Sequence, residues 1–500
     1  MIARARVAAF DVLQALSSGR ADLPAALARS RDELDDDRDR ALVAEIATGA
    51  QRWRATLDHL IETVAARSID RLDPEVVSIL RLSAYQLLHL TRVPAAAVVD
   101  DAVELARRAK KRSASGFINA VLRSLSRQRH ALPLPPRPAA AAVVNAIDVA
   151  DAANLTHLTQ GADRAAVIDY FAITLSHPRW LVSRWYDRLG FDNAERWLQF
   201  NNTPARLTLR ANRLKFTPAA LADRLAREGV RVTPGRYAPD ALVVESGQPL
   251  KGQGMADGWF VVQDEASQLV ALLAGPSPGR RVLDACASPG GKATALAAAM
   301  GAMNNDALLV ACDVRSKRIA LLTRTLAVHR SSGAAAVRVV QADVAQPLPF
   351  RGLFDCVLVD APCSGLGTLR RDPDIKWRRR EADLPALAST QRRMLGHAAS
   401  CVAPGGRLIY ATCSSEPEEN DAVVDAFLSG NTGFTRVDAR TIAGVPAAVV
   451  DDQGYLRTAP HVHSLEAFFG AVLERSLKRA AWDGDGNDVH GLPAEAGRRV

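Results

Sequence analysis

The chain has 500 residues, 48% of them hydrophobic and 24% charged, an ordinary globular composition on a length too great for one core, so two or three domains are expected. A formal charge of +8 and a pI near 9.4 suit a polyanionic partner, though such a balance also serves solubility. No stretch of about 18 apolar residues occurs, which excludes a membrane-spanning helix, and none of the cysteines forms a Cys-x-x-Cys pair, which speaks against a metal; a reducing cytoplasm suits such thiols.

In chain order, residues 1–130 read as helix after helix. The opening MIARARVAAFDVLQAL carries charge before an apolar patch, but Asp11 interrupts it, leaving an amphipathic helix. Apolar positions then recur at steps of three and four in ALVAEIATGAQRW, VVSILRLSAYQLLHL and AVVDDAVELARRA. Pro74 and Pro94 sit at expected helix starts, and Phe117, Ile118, Val121 and Leu122 form the apolar face of a last helix. Residues 131–165 run through HALPLPPRPAAAAVV into an Asp- and Ala-rich stretch and read as a linker. Residues 166–275 mix helical pieces (WLVSRWYDRL, AALADRLAREG) with strand-like runs (RLTLRAN, VRVTPG, ALVVES), which suits a small α+β module.

In residues 276–476, RRVLDACA, LLVACD, AVRVVQAD, FDCVLVDAP and GRLIYATC alternate with helical stretches, the rhythm of an α/β fold with a doubly wound, Rossmann-like parallel sheet. Ligands of such sheets sit beyond the carboxyl ends of the strands, which here carry Asp284, Asp313, Asp343, Asp360 and Cys413. Residues 477–500 have little to bury and are expected to form a disordered tail.

Between the first two of these strands, DACASPGGKATALAA passes from a strand through a glycine-rich turn into a helix, letting backbone N–H groups approach a ligand at Gly290 and Gly291. It is not a P-loop, because Lys292 is followed by Ala293, and it is not a GxGxxG turn. Alone it would be read as a structural turn. Asp313 sharpens it, standing where an acidic side chain accepts hydrogen bonds from the hydroxyls of an adenine ribose, with Asp343 closing the next strand. A nucleoside-containing cofactor follows, and geometry alone leaves a nicotinamide cofactor open.

Two cysteines, Cys363 in DAPCSG and Cys413 in YATCSS, stand at ends of strands flanking the switch region, where a thiolate can act as nucleophile. The other four, Cys286, Cys312, Cys356 and Cys401, lie in or beside apolar runs and read as small buried hydrophobes, with Cys286 lining the cofactor turn through its backbone. Each of the first two could equally be core packing. Together, beside Asp360, they suit attack on cytosine: a thiolate added at carbon 6 makes carbon 5 nucleophilic, a carboxyl near ring N3 favours the addition, and a second thiol helps remove the carbon 5 proton. Spacing does not decide which thiol does which.

DACASPGGK, Asp313, Asp343, DAPCSGLGTLRRDPDIKW and YATCSSEPEEN resemble the Sun (Fmu) family of RNA 5-methylcytosine methyltransferases, a resemblance that spans most of residues 170–475 and includes SHPRWLVSRW, VQDEAS and LRTAPH. It implies that Cys286, Ala287, Ser288, Pro289, Gly290, Gly291 and Lys292, with Asp313 and Asp343, hold S-adenosyl-L-methionine, and that Asp360 lies against cofactor and target base. It also implies that Cys413 is the nucleophile and that Cys363 assists product release. The helical N-terminal part, ending GFINAVLRSLSR, looks like the NusB-type RNA-binding domain of the family members that act on small-subunit ribosomal RNA, so that RNA is the expected partner of a monomeric enzyme. This chain departs from the pattern in a longer linker and in Glu466 and Ala467, where Asp-Gly usually precedes Phe468.

The stretch LRRDPDIKWRRR could grip phosphates through Arg370, Arg371, Lys376 and Arg378 and stack a base on Trp377, or it could be a solvated loop with Trp377 in the core. Arg107, Arg108, Lys110, Lys111 and Arg112 form a second basic cluster that fits RNA in a NusB-like domain, while His461 and His463 lack a third ligand and read as turn residues. The competing readings are a noncatalytic RNA-binding or assembly factor, which would leave the thiols and carboxylates idle, a DNA cytosine methyltransferase attacking through Cys363, and a dehydrogenase, which the missing GxGxxG weakens.

Overall fold

A computed structural model describes residues 2–138, 162–275, 280–301, 307–330, 335–352 and 354–477. Most of the expected linker, residues 139–161, and the expected tail from 478 onward lie outside the described residues.

The N-terminal part consists of α1 (Arg4–Ser17), α2 (Leu23–Asp32), α3 (Asp37–Arg52), α4 (Arg54–Ala65), α5 (Pro74–His89), α6 (Ala95–Arg108) and α7 (Ser115–Gln128). Their starts follow local chemistry. The Asp22 and Asp36 carboxylates accept from the free N–H groups of α2 and α3, and Pro74 occupies the first turn of α5, where its missing N–H costs nothing. The recurring apolar positions meet in one core around Ile46, Leu60, Leu80, Leu105 and Leu122, all fully buried, each contributing about 1.5–3 kcal/mol.

The chain re-enters the described structure in a helix at Ala162–Asp169, already inside the expected linker, and turns into a long helix, Arg179–Asn202, kinked at Gly190. Phe171, Trp185, Phe191 and Trp197 from this segment pack against Leu366, Leu369 and Leu384 of the large domain, so the segment is a strut between domains. The near end of the linker is tied to the same strut, Arg137 pairing with Glu195 at 2.9 Å.

The small module is an antiparallel sheet of β1 (Thr208–Ala211), β2 (Arg231–Pro234), β3 (Ala241–Ser246) and β4 (Phe260–Val262) in the order β2-β3-β1-β4, backed by the helix Pro218–Arg227. The large domain contains β5 (Arg281–Asp284), β6 (Leu308–Asp313), β7 (Ala336–Gln341), β8 (Phe354–Asp360), β9 (Val402–Thr412), β10 (Phe434–Val437), β11 (Leu456–Arg457) and β12 (Phe469–Arg475). The order is β10-β12-β9-β8-β5-β6-β7, with β11 beside β12. Strands β5 to β9 are mutually parallel, as expected, with a separate apolar core on each face. The sheet as a whole is mixed, however. β12 lies antiparallel between β9 and β10, a direction that its continuous apolar run cannot encode. The chain runs from β5 outward to β7 and returns to β8 on the other side of β5, so the switch point opens between the ends of β5 and β8, at Asp284 and Asp360.

Candidate active site

Beyond those strand ends lies a cavity of about 380 Å³. Cys286, Ser288 and Lys292 reach it from the turn after β5, Asp313 and Asp343 from the ends of β6 and β7, Asp360 and Cys363 from β8, and Cys413 from β9. Ala287, Pro289, Gly290 and Gly291 shape the turn without lining the cavity. Ala287 donates its N–H to the Cys312 carbonyl at 2.7 Å, and Arg318 grips the Ser288 carbonyl at 2.8 Å. Gly290 sits at φ +110°, where an added Cβ would also stand 3.1 Å from Thr325 and 3.2 Å from Leu322, so glycine is required twice over. The Gly291 carbonyl and the Thr294 hydroxyl accept from Arg210, a fully buried arginine on β1 that ties the small module to the helix following the turn. Nothing in the sequence reading singled out Arg210, since its partners are distant in the chain.

Three ionisable groups crowd the switch point. Lys292 Nζ donates to Asp360 Oδ2 at 2.7 Å, and although burial opposes the ammonium, the Asp360 carboxylate holds its pKa above the ordinary value. Asp284 is completely buried, and burial, reinforced by Asp360, outweighs Lys292 and the Cys286 backbone N–H and raises its pKa to about 7. Asp313 is nearly buried, with Arg318 at 3.4 Å, while Asp343 is exposed and accepts from the Ala345 N–H at 2.9 Å.

The two cysteines meet, Cys363 Sγ standing 3.3 Å from Cys413 Sγ. The hydrogen bond that the Cys363 S–H donates to Cys413, burial and the Cys413 charge all push the Cys363 thiol well up, so it stays protonated while Cys413 is free. Both loops are held by a residue absent from the sequence reading's site. Glu419, fully buried, accepts from the Ser364 N–H at 2.8 Å, the Ser364 hydroxyl, the Ser414 hydroxyl at 2.5 Å and Gln391 Nε2 at 2.9 Å. Ser364 follows Cys363 and Ser414 follows Cys413, so one carboxylate joins the two thiol loops. Phe468 closes the cavity, with Lys292 Nζ 5.6 Å from its ring centre. Among the described residues no group of side chains could hold a metal ion, and no helix is long and apolar enough to cross a membrane.

Several residues of the basic stretch after Cys363 make contacts between domains. Lys376 is buried with Nζ donating to the Arg52 and Ser176 carbonyls, and Trp377 Nε1 donates to the Gln51 carbonyl at 2.7 Å, so half-buried Trp377 is part of a domain contact, with the Arg54 guanidinium 5.4 Å from its ring centre. Arg370 donates to the Pro204 carbonyl, Arg371 to Asp264 and Arg378 pairs with Asp374. In the second cluster Lys111 pairs with Asp73 at 2.9 Å and Arg107 with Glu104, while Arg108, Lys110 and Arg112 are exposed. His461 and His463 lie in a single helical turn, His461 stacked on Trp197.

With β12 antiparallel beside β9 and a glycine turn opening onto strand-end carboxylates and paired thiols, the large domain has the build of a doubly wound methyltransferase. The family model described as 16S rRNA methyltransferase RsmB/F matches residues 271–474, the NusB family model residues 3–127, and a ferredoxin-like domain of RsmF/B-like methyltransferases residues 177–251. The ribosomal RNA small subunit methyltransferase B of Pseudomonas putida is 34% identical over 88% of this chain and 92% of its own length. The protein of the same name from Pseudomonas syringae is 31% identical over 97% and 99%. The chain therefore belongs to the RsmB/F family of methyltransferases, the family its motifs resemble, and it is an enzyme of that class. The crystal structure of a methyltransferase homolog protein from Pyrococcus horikoshii is 26% identical, covers 62% of this chain and 99% of its own, and aligns with a TM-score of 0.51. That of NSun6 from Pyrococcus horikoshii with SFG, 20% identical over 60% and 99%, has a TM-score of 0.52 and shares the fold.

Proposed function

We propose that this chain moves a methyl group from S-adenosyl-L-methionine to carbon 5 of a cytidine in small-subunit ribosomal RNA, through a covalent link to Cys413. The observation that carries this reading is the pair of thiols 3.3 Å apart at the rim of the cavity that Asp313, Asp343 and Asp360 also line. The residues suit the cofactor. Asp313 stands at the end of β6 where ribose hydroxyls are bound in doubly wound sheets, and Cys286, Ser288 and Asp343 line the same side. Bound there, S-adenosyl-L-methionine supplies an electrophilic methyl group.

The chain's own residues do the rest. The target base is flipped from its stack into the cavity. Lys292 is the cation that faces Cys413, and the two attract when the sulfur is ionised. The Cys413 thiolate adds to carbon 6, and the Asp360 carboxyl beside ring N3 favours that addition. Once the sulfur–carbon bond forms, Cys413 no longer carries the hydrogen bond and charge that hold Cys363 protonated. Cys363 can then give its proton to water and, as thiolate, accept the carbon 5 proton; the C5–H electron pair restores the C5–C6 double bond and the C6–S pair leaves with Cys413 as thiolate. All six cysteines are free, as a reducing cytoplasm would keep them. Separate roles for the domains follow: residues 1–130 bind RNA, and 276–476 perform the transfer.

Bisulfite sequencing of ribosomal RNA from cells lacking this protein tests the reading. One small-subunit cytidine should lose its methyl mark and regain it when purified protein and cofactor are added to the unmodified RNA. An unchanged methylation pattern would overturn it.

A further inference from the structure

A second cavity, of about 580 Å³, lies next to the first, between the four-stranded sheet and the loops that carry Cys363 and Phe468. The same two chain segments line both: Cys363 and Phe468 face the cofactor cavity, and Arg371 and Glu466 face the second. Glu466 and Phe468 are two residues apart, a separation of about 7 Å along extended chain. That spacing is of the order of the step between consecutive bases of one RNA strand.

Glu466 is only 1% exposed, and neither of its carboxyl oxygens has a hydrogen-bond partner. Arg371 Nε is 3.6 Å away, too far to donate, because Arg371 Nη2 is held by Asp264 at 2.7 Å. The turn around Glu466 is otherwise complete: Ala467 donates its N–H to Gly367 and Phe468 its N–H to the Thr458 hydroxyl, both at 2.9 Å. An unpaired carboxyl withdrawn from water is costly, and a ligand with its own donor and acceptor would complete it. Asp264, Arg370 and Arg371 are the charged groups that act on it, and Glu265 and His463 line the same cavity. Burial and Asp264 outweigh the two arginines and raise its pKa to about 8, so at neutral pH it is a carboxylic acid with one donor and one acceptor. Arg206 and Arg236, both exposed, line the outer part of the same cavity.

We propose that this second cavity is a nucleobase subsite that takes the base adjoining the target cytidine, Glu466 hydrogen-bonding the base edge while Arg206 and Arg236 hold its phosphate. The assignment rests on the RNA reading above and extends it by one nucleotide.

Methyl transfer by the full-length protein to short RNAs spanning the target cytidine tests this, using an abasic residue at either neighbouring position. On one side the abasic RNA should raise the wild-type KM about tenfold, the order expected for losing a paired base contact, with kcat little changed. In Glu466→Leu the intact RNA should already show that higher KM, and the abasic change should add nothing. Glu466→Gln, which keeps a donor and an acceptor, should recover most of the affinity lost in the leucine variant. As pH passes about 8 the wild-type KM should rise while that of the glutamine variant stays level. Calorimetric cofactor binding like that of wild type establishes that each variant is folded. Equal abasic effects in wild type and Glu466→Leu, or none on either side, would overturn the subsite. Failure of the broader reading looks different: no methyl group reaches intact RNA from the wild-type protein, and that result overturns both.

Discussion

Replacing Glu419 with alanine removes the acceptor for four donors at once, the Ser364 N–H, the Ser364 and Ser414 hydroxyls and Gln391 Nε2, in a place with no solvent to substitute. Each stranded donor costs about 1–3 kcal/mol, but the two hydroxyls still have each other at 3.1 Å. The net loss of stability should therefore be about 3–5 kcal/mol, the range for breaking a buried charged network. The functional loss follows from geometry, because Ser364 and Ser414 carry the loops of Cys363 and Cys413. A displacement of about 1 Å at reacting atoms costs on the order of 100-fold in rate, so single-turnover methyl transfer should fall by about that factor. Glu419 does not line the cofactor cavity, so cofactor affinity should hold. Glu419→Gln, close in shape, should lose about 1–2 kcal/mol and a smaller part of the rate. Denaturant unfolding and rapid-quench kinetics read the two effects. A folded Glu419→Ala protein with the wild-type rate would refute the clamp.

Asp284 adds a pH dependence with a definite sign. Its folded-state pKa is raised from 3.8 to about 7, so the folded chain holds this proton more tightly than the unfolded one, and stability falls as pH climbs through that window. Asp284→Asn should remove this component, and unfolding midpoints of the variant should gain on wild type between those pH values; a gap that stays constant would contradict the buried acid. Gly290→Ala combines a left-handed backbone with a Cβ 3.1 Å from Thr325. It should cost about 1–3 kcal/mol and weaken cofactor binding measured by calorimetry, and unchanged affinity would show that the turn tolerates a side chain.

Local chemistry made much of this readable in advance. Helical periodicity marked the first domain, the apolar run ALVVES coincides with β3, and residues at strand ends are gathered because parallel strands all end on one side. What escaped depends on contacts distant in sequence. The direction of β12 is set by its neighbours, Arg210 finds its partners on the turn more than 80 positions later, and Glu419 matters only once Ser364 and Ser414 are side by side. For Lys376 and Trp377 composition left open an RNA contact or a packed position, and the contact of both with the helical domain is long-range information that composition does not carry.

Denaturing gels followed by mass spectrometry of the RNA–protein product test the central chemistry most directly. Cys363→Ala should accumulate RNA covalently joined to the chain, with the mass shift on the peptide containing Cys413, and the double variant lacking both thiols should form none. An adduct that survives Cys413→Ala, or that maps to another residue, would contradict the account.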